Sequence, residues 1–309
     1  MKIIFMGTPD FSAVVFEKLN SVYPVSAVVT GVDKPVGRKM VLTPCPLKVA
    51  AMNAGVPVLQ YERVSRQGIE DIEALEPDLV ITAAFGQILS DRFLAIPKHG
   101  VINVHASLLP KHRGASPIQS AMLAGDKVTG ITIMKTVKEV DAGDMLLKKE
   151  IEISPDDYAD TLFDKMAVIG GEAVVEAVRL IESGEAVFTP QNHDEATHCI
   201  KITKAEGQID FNKDGLTLRN FVHAMNPWPS AYTFVGGKQL KVIDLIPVED
   251  DGTAEVGTVI YADRQHGIVV KCLDGAVRLT RIQIEGKGKT DDLSFLNGNK
   301  DIAVGVKLG

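Results

Sequence analysis

The chain has 309 residues, of which 45% are hydrophobic and 24% charged, a composition typical of globular proteins with more chain than one ordinary core uses. The formal net charge of −7 excludes an overall basic field for nucleic-acid binding, and no apolar run approaches the roughly 18 residues of a membrane span. The three cysteines are widely spaced and odd in number, which predicts neither a disulfide framework nor a metal site. We therefore expect a cytoplasmic protein with two domains.

Short apolar runs alternate with helical patterns in the first half of the chain. The runs that predict strands are 2–7, 25–31, 57–60, 78–85, 100–106 and 130–137, and the patterns that predict helices are 10–19, 45–55, 67–77 and 115–125. Alternation of this kind predicts an α/β domain with a Rossmann-like, mostly parallel sheet covered on both faces. Residues 144–154 alternate in polarity and predict an antiparallel edge strand.

The second half of the chain has a different pattern of apolar and polar residues. A long amphipathic helix is predicted over 154–184, with Ser154 as its N-cap, and the polar stretch 185–204 is interpreted as a linker. After a helix at 215–225, short alternating strands at 239–248, 255–262, 267–273 and 276–286 predict a small antiparallel β-barrel, OB-like, or a sandwich. The predicted domains are therefore 1–184 and 205–309, joined by 185–204.

Polar residues stand where the predicted strands end, which is where open α/β sheets bind their ligands. Asn103 and His105 are two apart on one strand, so their side chains share a face. Asp141 follows the next long strand and would return to the same edge if that strand were adjacent and parallel. The first strand leads into "GTPDF" rather than G-x-G-x-x-G, which argues against a dinucleotide cofactor.

This trio suits acyl transfer to an amine that the substrate supplies. Asn103 and protonated His105 can stabilise an oxyanion, and Asp141 or a water molecule can relay the proton that leaves the amine. A purely structural interpretation stays open, with Asn103 in a turn, His105 as a hydrogen-bonded core histidine and Asp141 as a turn residue.

The stretches "NVHASLLPKHRGASP" and "GITIMKTVKEVDAGD" closely resemble the folate-dependent formyltransferases. The resemblance extends over nearly the whole chain through "FMGTPDFS", "DKPVGRKMVLTPCPLKVAA", "AAFGQIL", "KITKAEGQIDF" and "NPWPSA". It implies 10-formyltetrahydrofolate as a co-substrate, with no tightly bound cofactor and no metal, and the α-amine of methionyl-initiator-tRNA as acceptor. It also implies that Asn103 and His105 hold the formyl oxygen and that Asp141 assists proton movement.

The same resemblance implies binding residues. For folate they are Ser107, Leu108, Leu109 and Pro110, with Gln87 and Leu89 in the segment that lines the pterin pocket. For tRNA they are Lys34, Arg38 and Lys39 in the loop 32–46, whose basic side chains can reach phosphates. The C-terminal domain is expected to bind tRNA, yet residues 204–309 hold 13 Lys plus Arg against 14 Asp plus Glu. A local basic patch would have to come from Lys271, Arg278, Arg281, Lys287 and Lys289.

Three alternatives use the same residues differently. The acceptor could be a sugar-nucleotide amine, or water could replace the amine in a 10-formyltetrahydrofolate hydrolase. A non-catalytic ligand-binding sensor would tolerate replacement of Asn103 or His105. The sequence does not determine the oligomeric state, and a monomer is the working expectation.

Overall fold

The computed structural model describes residues 1–37, 39–199, 201–298 and 301–309, and the chain divides into two compact units. The first unit comprises Met1–Pro117, Val128–Glu152 and Phe163–Ile200, and the second comprises Ile118–Lys127, Ile153–Leu162 and Lys201–Gly309. Two short segments, Ile118–Lys127 and Ile153–Leu162, thus belong to the second unit although they lie between stretches of the first. The predicted division at residues 184 and 205 stays a prediction.

The described part of the first unit contains the strands β1 Ile3–Gly7, β2 Val25–Thr30, β3 Lys34–Val36, β4 Val41–Thr43, β5 Val58–Gln60, β6 Leu79–Ala83, β7 Val101–His105, β8 Arg113–Gly114, β9 Val128–Lys135, β10 Met145–Glu152 and β11 His198–Cys199. Seven of them form one sheet in the order β10-β9-β7-β6-β1-β2-β5. Strands β1, β2, β5, β6 and β7 pair in parallel, whereas β9 is antiparallel to β7 and β10 to β9. The mostly parallel sheet and the antiparallel edge strand are confirmed. The condition under which Asp141 was expected to return to the strand end, that β9 is parallel to β7, is not met.

The helices of this part of the chain are α1 Asp10–Asn20, α2 Pro46–Asn53, α3 Val64–Gln67, α4 Ile69–Ala74, α5 Asp91–Leu94, α6 Pro117–Leu123 and α7 Ala159–Ser183. Those of the first unit cover both faces of its sheet, whereas α6 falls almost wholly in the second unit. On one face, buried residues of α3, α4 and α5 pack with those of β1, β6 and β7 in one apolar cluster. On the other, Phe11 of α1 meets Phe163 of α7 edge to face, with ring centroids 5.6 Å apart. The helix predicted at 67–77 corresponds to the shorter α4, and α3, which precedes it, was not predicted.

The long helix α7 begins at Ala159, five residues later than predicted. Ser154 does not cap it, because residues 154–158 form a turn with its own hydrogen bonds. The Asp157 carboxylate accepts from the Ser154 N–H at 2.9 Å, and the Ser154 hydroxyl accepts from the Asp156 N–H at 3.3 Å. Side chains of Ser and Asp compete with a helix in this way by bonding nearby backbone groups.

The second unit contains an antiparallel sheet of β12 Ala231–Val235, β13 Lys238–Val248, β14 Val259–Asp263, β15 Gly267–Cys272, β16 Gly275–Ile284 and β17 Thr290–Asp291, together with α8 Gly215–Met225 and α9 Asp292–Gly298. The strand order is β12-β13-β16-β15-β14, and β17 pairs with β16. The predicted α/β fold with an antiparallel C-terminal sheet is confirmed, although β12, β17 and α9 were missed. In the part of the chain that the structure describes, no helix is long and apolar enough to cross a bilayer.

Candidate active site

Asn103 and His105 lie together near the carboxyl end of β7, with their side chains on one face of the strand. Thr82 lies opposite Asn103 on β6, and its Oγ1 donates to Asn103 Oδ1 at 2.8 Å. With its oxygen held in this way, the amide presents its two N–H groups as donors away from Thr82. Asn103 is half-buried, so these donors lie near the surface of the sheet edge.

His105 is almost fully buried, with 5% of its surface exposed. Its Nε2 lies 3.0 Å from the carbonyl oxygen of His112. A carbonyl can only accept, so Nε2 carries a hydrogen and donates it. Nδ1 then faces Asp141 Oδ2 at 3.6 Å, too long for a direct hydrogen bond and short enough for an ion pair when the ring is doubly protonated.

Asp141 reaches His105 by a different route from the predicted one. Because β9 is antiparallel to β7, its last residue, Lys135, pairs with Ile102 near the start of β7. The loop between β9 and β10 then brings Asp141 back to the imidazole, with a left-handed φ of 50° at Asp141. The Gly114 N–H donates to Asp141 Oδ2 at 2.8 Å. The structure therefore brings the three predicted residues together, while their chemical roles stay predictions.

The loop after β7 is held by internal hydrogen bonds. The Ser107 hydroxyl donates to the Lys111 carbonyl at 2.7 Å, and Thr132 Oγ1 donates to the Ser107 carbonyl at 2.7 Å and accepts from the Leu109 N–H at 3.1 Å. The side chains of Ser107 and Leu109 are buried, and those of Leu108 and Pro110 are half-buried. A folate bound to this segment would therefore meet Leu108, Pro110 and the main chain rather than the other two side chains.

Gln87 and Leu89 fix the segment after β6 against the helices that follow β5. Gln87 Oε1 accepts from the Val64 N–H at 2.8 Å, and its Nε2 donates to the Tyr61 carbonyl at 3.1 Å. Leu89 is buried in the apolar cluster with Phe85. These side chains are engaged inside the unit, so their proposed part in the pterin pocket would rest on the backbone they hold in place.

The loop 32–46 contains the hairpin of β3 and β4, in which Lys34 and Lys39 are exposed. Arg38, the third basic residue predicted here, lies outside the described residues. The base of the hairpin is anchored by Asp33, whose Oδ2 lies 2.6 Å from Lys48 Nζ, and that ammonium lowers the pKa of the Asp33 carboxyl. Val36, Met40 and Leu42 are also exposed, so the hairpin presents both basic and apolar side chains.

Two members of the predicted basic patch on the C-terminal unit are already paired. Lys271 Nζ lies 2.8 Å from Asp250 Oδ2, and Arg278 Nε lies 2.7 Å from Asp292 Oδ2. Their charges are thus balanced locally. Arg281, Lys287 and Lys289 are exposed and stay as candidates for the predicted basic patch. The pairing of β13 with β16 is irregular around Asp244, where strict alternation of faces breaks down.

Sequence reasoning missed two residues that support the site. Arg113 is 2% exposed and Gln191 is 4% exposed, and they bond to each other beside Asp141. Arg113 was present in the motif but had no assigned role. Gln191 falls in the stretch interpreted as a linker, where no periodicity or motif signalled it.

Comparison with known proteins gives a consistent result. Residues 1–178 match the formyl transferase family, and residues 201–300 match the formyl transferase C-terminal domain. The methionyl-tRNA formyltransferase of Macrococcus caseolyticus is 45% identical over 308 residues, covering 99% of this chain and 98% of that protein.

Two solved structures are similar in fold. The N-formyltransferase from Helicobacter canadensis, in complex with folinic acid and dTDP-3-aminofucose, matches 90% of this chain and 98% of its own, with a TM-score of 0.67 and 17% identity. HypX from Aquifex aeolicus, in complex with tetrahydrofolic acid, matches 99% of this chain and 50% of its own, with a TM-score of 0.63 and 20% identity.

Proposed function

This chain belongs to the formyltransferase family, and we propose that it transfers the formyl group of 10-formyltetrahydrofolate to the α-amine of methionyl-initiator-tRNA. The product would be formylmethionyl-tRNA for translation initiation in the cytoplasm. The observation that carries the proposal is the cluster of Asn103, His105 and Asp141 at one sheet edge, with His105 Nδ1 3.6 Å from Asp141 Oδ2. The choice of acceptor is supported by the 45% identity to a methionyl-tRNA formyltransferase, against 17% to the N-formyltransferase solved with an amino sugar nucleotide.

In the proposed reaction, the amine nitrogen attacks the formyl carbon and the carbonyl electrons move onto the formyl oxygen. The Asn103 amide N–H and protonated His105 stabilise that oxyanion, and removal of one such donor typically costs on the order of 10²–10³ in rate. Asp141 accepts the proton that the amine loses, directly or through water. The oxyanion electrons then re-form the carbonyl as the bond from the formyl carbon to N10 breaks, and N10 takes up the proton held by Asp141, directly or through water, to give tetrahydrofolate.

Binding of the two substrates is assigned to separate surfaces. Folate is proposed to lie along Leu108 and Pro110, next to the segment that Gln87 and Leu89 hold in place. The acceptor end of the tRNA is proposed to meet the hairpin with Lys34, Arg38 and Lys39. Exposed basic side chains of the C-terminal unit would contact the tRNA body, with the enzyme working as a monomer.

The proposal is tested by mixing the purified protein with 10-formyltetrahydrofolate and methionyl-initiator-tRNA, and following formylmethionine and tetrahydrofolate together. Formylation of the tRNA, with no folate turnover when tRNA is omitted, is the expected result. Folate turnover without tRNA would instead indicate a hydrolase. Turnover only with an amino sugar nucleotide would indicate the sugar acceptor, and no turnover with any acceptor would favour the sensor.

A further inference from the structure

Gln191 lies in the segment after α7, and its side chain holds the loop that carries Asp141. Its Nε2 donates to the carbonyl oxygens of Asp141 at 2.9 Å and Gly143 at 2.8 Å. Its Oε1 accepts from Nε and Nη2 of Arg113 at 3.1 and 2.7 Å. An amide has two N–H donors and one oxygen with two lone pairs, so these four contacts use its whole capacity. If the amide were turned by 180°, its oxygen would face the two carbonyl oxygens and its N–H groups would face the N–H groups of Arg113. The four partners therefore determine its orientation.

Arg113 is the partner that keeps Gln191 in this position, and it is the largest of the fully buried side chains in the described part of the chain. A guanidinium removed from water is costly unless its donors are satisfied. Besides Gln191, its Nη1 and Nη2 lie 3.4 Å from His193 Nδ1, and Nη1 lies 4.0 Å from Oε1 of Glu139, whose side chain is 70% exposed. Its donors are thus directed at neighbouring protein groups, which suits a supporting role.

Three consecutive residues hold both members of the His105 and Asp141 pair. The His112 carbonyl accepts from His105 Nε2 at 3.0 Å, the Arg113 side chain holds Gln191, and the Gly114 N–H donates to Asp141 Oδ2 at 2.8 Å.

The segment 112–114 is itself fixed against residues 197–199. Strand β8 pairs with β11, and the Arg113 N–H donates to the Thr197 carbonyl at 2.9 Å. Gly114 has a φ of +118°, and a Cβ there would lie 2.7 Å from the Cys199 carbonyl oxygen, so a larger residue would disturb this pairing. The supports of the histidine and of the aspartate therefore share one rigid piece of backbone.

We infer that Gln191 and Arg113 are positioning residues for formyl transfer, which set the place of Asp141 relative to His105. The inference rests on the proposed function, because it takes Asp141 to act in that reaction. Loss of the Gln191 amide would free two carbonyl groups of the Asp141 loop and leave its carboxylate held by Gly114. A displacement of about 1 Å can cost on the order of 10²-fold in rate, so the 3.6 Å separation from His105 is sensitive to this support.

The decisive variant is Gln191→Glu, which keeps the size of the side chain and an acceptor for Arg113. It replaces the donating nitrogen with an oxygen that faces the carbonyls of Asp141 and Gly143. We expect kcat to fall by roughly 10–100-fold with little change in KM for either substrate. We also expect faster amide hydrogen exchange in residues 138–145. Asn192→Asp makes the same chemical change on the adjacent, exposed side chain. It should alter neither kcat nor the hydrogen exchange of residues 138–145.

A double-variant cycle separates positioning from general stability. In an Asp141→Asn background, Gln191→Glu should cause no further loss of kcat, because the group that it positions has already lost its chemistry. Independent losses in the two backgrounds would overturn the inference. Arg113→Lys loses the paired donors to Gln191 and should give the same pattern, and it replaces Gln191→Glu if that variant does not fold.

Hydrogen exchange also distinguishes failure of this inference from failure of the proposed function. If the wild-type protein formylates no tRNA, the proposed function is wrong, and exchange in residues 138–145 still decides whether Gln191 holds the loop. Unchanged exchange in Gln191→Glu would overturn the inference whatever the activity.

Discussion

Each unit of this protein contains a buried histidine beside an aspartate, and the two pairs differ in how completely their polar atoms are bonded. His105 and Asp141 approach at 3.6 Å in the first unit. In the second, His223 Nε2 lies 3.1 Å from Asp244 Oδ1, and its Nδ1 lies 3.2 Å from the Asp157 carbonyl. The same two residue types thus form one pair beyond hydrogen-bond distance, called the loose pair, and one hydrogen-bonded pair, called the tight pair.

The surroundings of the second pair complete its bonding. Thr280 Oγ1 donates to Asp244 Oδ2 at 3.0 Å, and the ring of Tyr158 stacks on His223 with centroids 4.3 Å apart. Burial raises the pKa of Asp244, but hydrogen bonds from His223 and Thr280 lower it by more. Burial, together with the charge of Asp244, raises the pKa of Tyr158 to about 12.

The contrast shows which features distinguish the pair proposed to react from a pair that only holds the fold together. In the second pair each ring nitrogen has an oxygen partner within hydrogen-bond distance, which ties α8 to β13. In the first pair Nδ1 has a carboxylate that is close but not bonded, at a strand end where ligands bind in α/β sheets. A histidine with unmet bonding capacity beside a carboxylate can bind and move protons of a substrate.

Removal of the reactive groups should produce the largest effect. Asn103→Ala and His105→Ala should each lower kcat by about 10²–10³-fold, because each removes a donor to the formyl oxygen. Steady-state kinetics on folded protein, checked by circular dichroism, would measure this. Near-normal turnover in both variants would contradict their assignment as oxyanion donors.

Asp141→Asn tests the carboxylate of the first pair with almost no change in shape. The asparagine oxygen can still accept from the Gly114 N–H, so the free energy of unfolding should change by less than about 0.5 kcal/mol. The proton acceptor is lost, so kcat should fall by about 10²-fold or more. A variant that loses stability while keeping full kcat would place Asp141 with the structural pair instead.

His223→Ala should show the reverse pattern. It removes both bonds of the ring and leaves Asp244 short of a donor, which should cost about 1–3 kcal/mol in the free energy of unfolding. Turnover of the folded fraction should stay unchanged, because the two ring nitrogens bond to β13 and to the turn before α7. Urea unfolding and kcat, measured on one preparation, provide the comparison with His105→Ala.

The smallest expected effect is a pH dependence in the second pair. Because the folded-state pKa of Asp244 is lowered, its ionised form stabilises the fold fully above the unfolded value of about 3.9. That stability is lost as the pH falls through the folded-state pKa. The difference in unfolding free energy between wild type and Asp244→Asn should therefore be full near about pH 7 and shrink below about pH 4. A difference independent of pH would show that the charge of Asp244 does not contribute.

Much of the first unit could be predicted because its strands have strong local signals. Runs such as 3–7 and 79–83 are continuously buried and almost wholly apolar, and the alternation in β10 marks an edge strand. Asn103 and His105 could be placed on one face because the period of a strand is two. The start of α7 was placed five residues too early because a serine followed by proline and aspartate suits a cap and a tight turn equally well.

The sequence by itself determined the order of the main strands of the first unit's sheet along the chain, the fold class and the pair of polar side chains on β7, since all three depend on local periodicity and motif. Only the tertiary structure decided that β9 runs antiparallel to β7, that Asp141 reaches His105 through a loop, and that Gln191 supports it. It also decided which histidine and aspartate pair is loose and which is tight. These features depend on contacts between residues distant in the chain, and such contacts leave no periodic trace in the sequence.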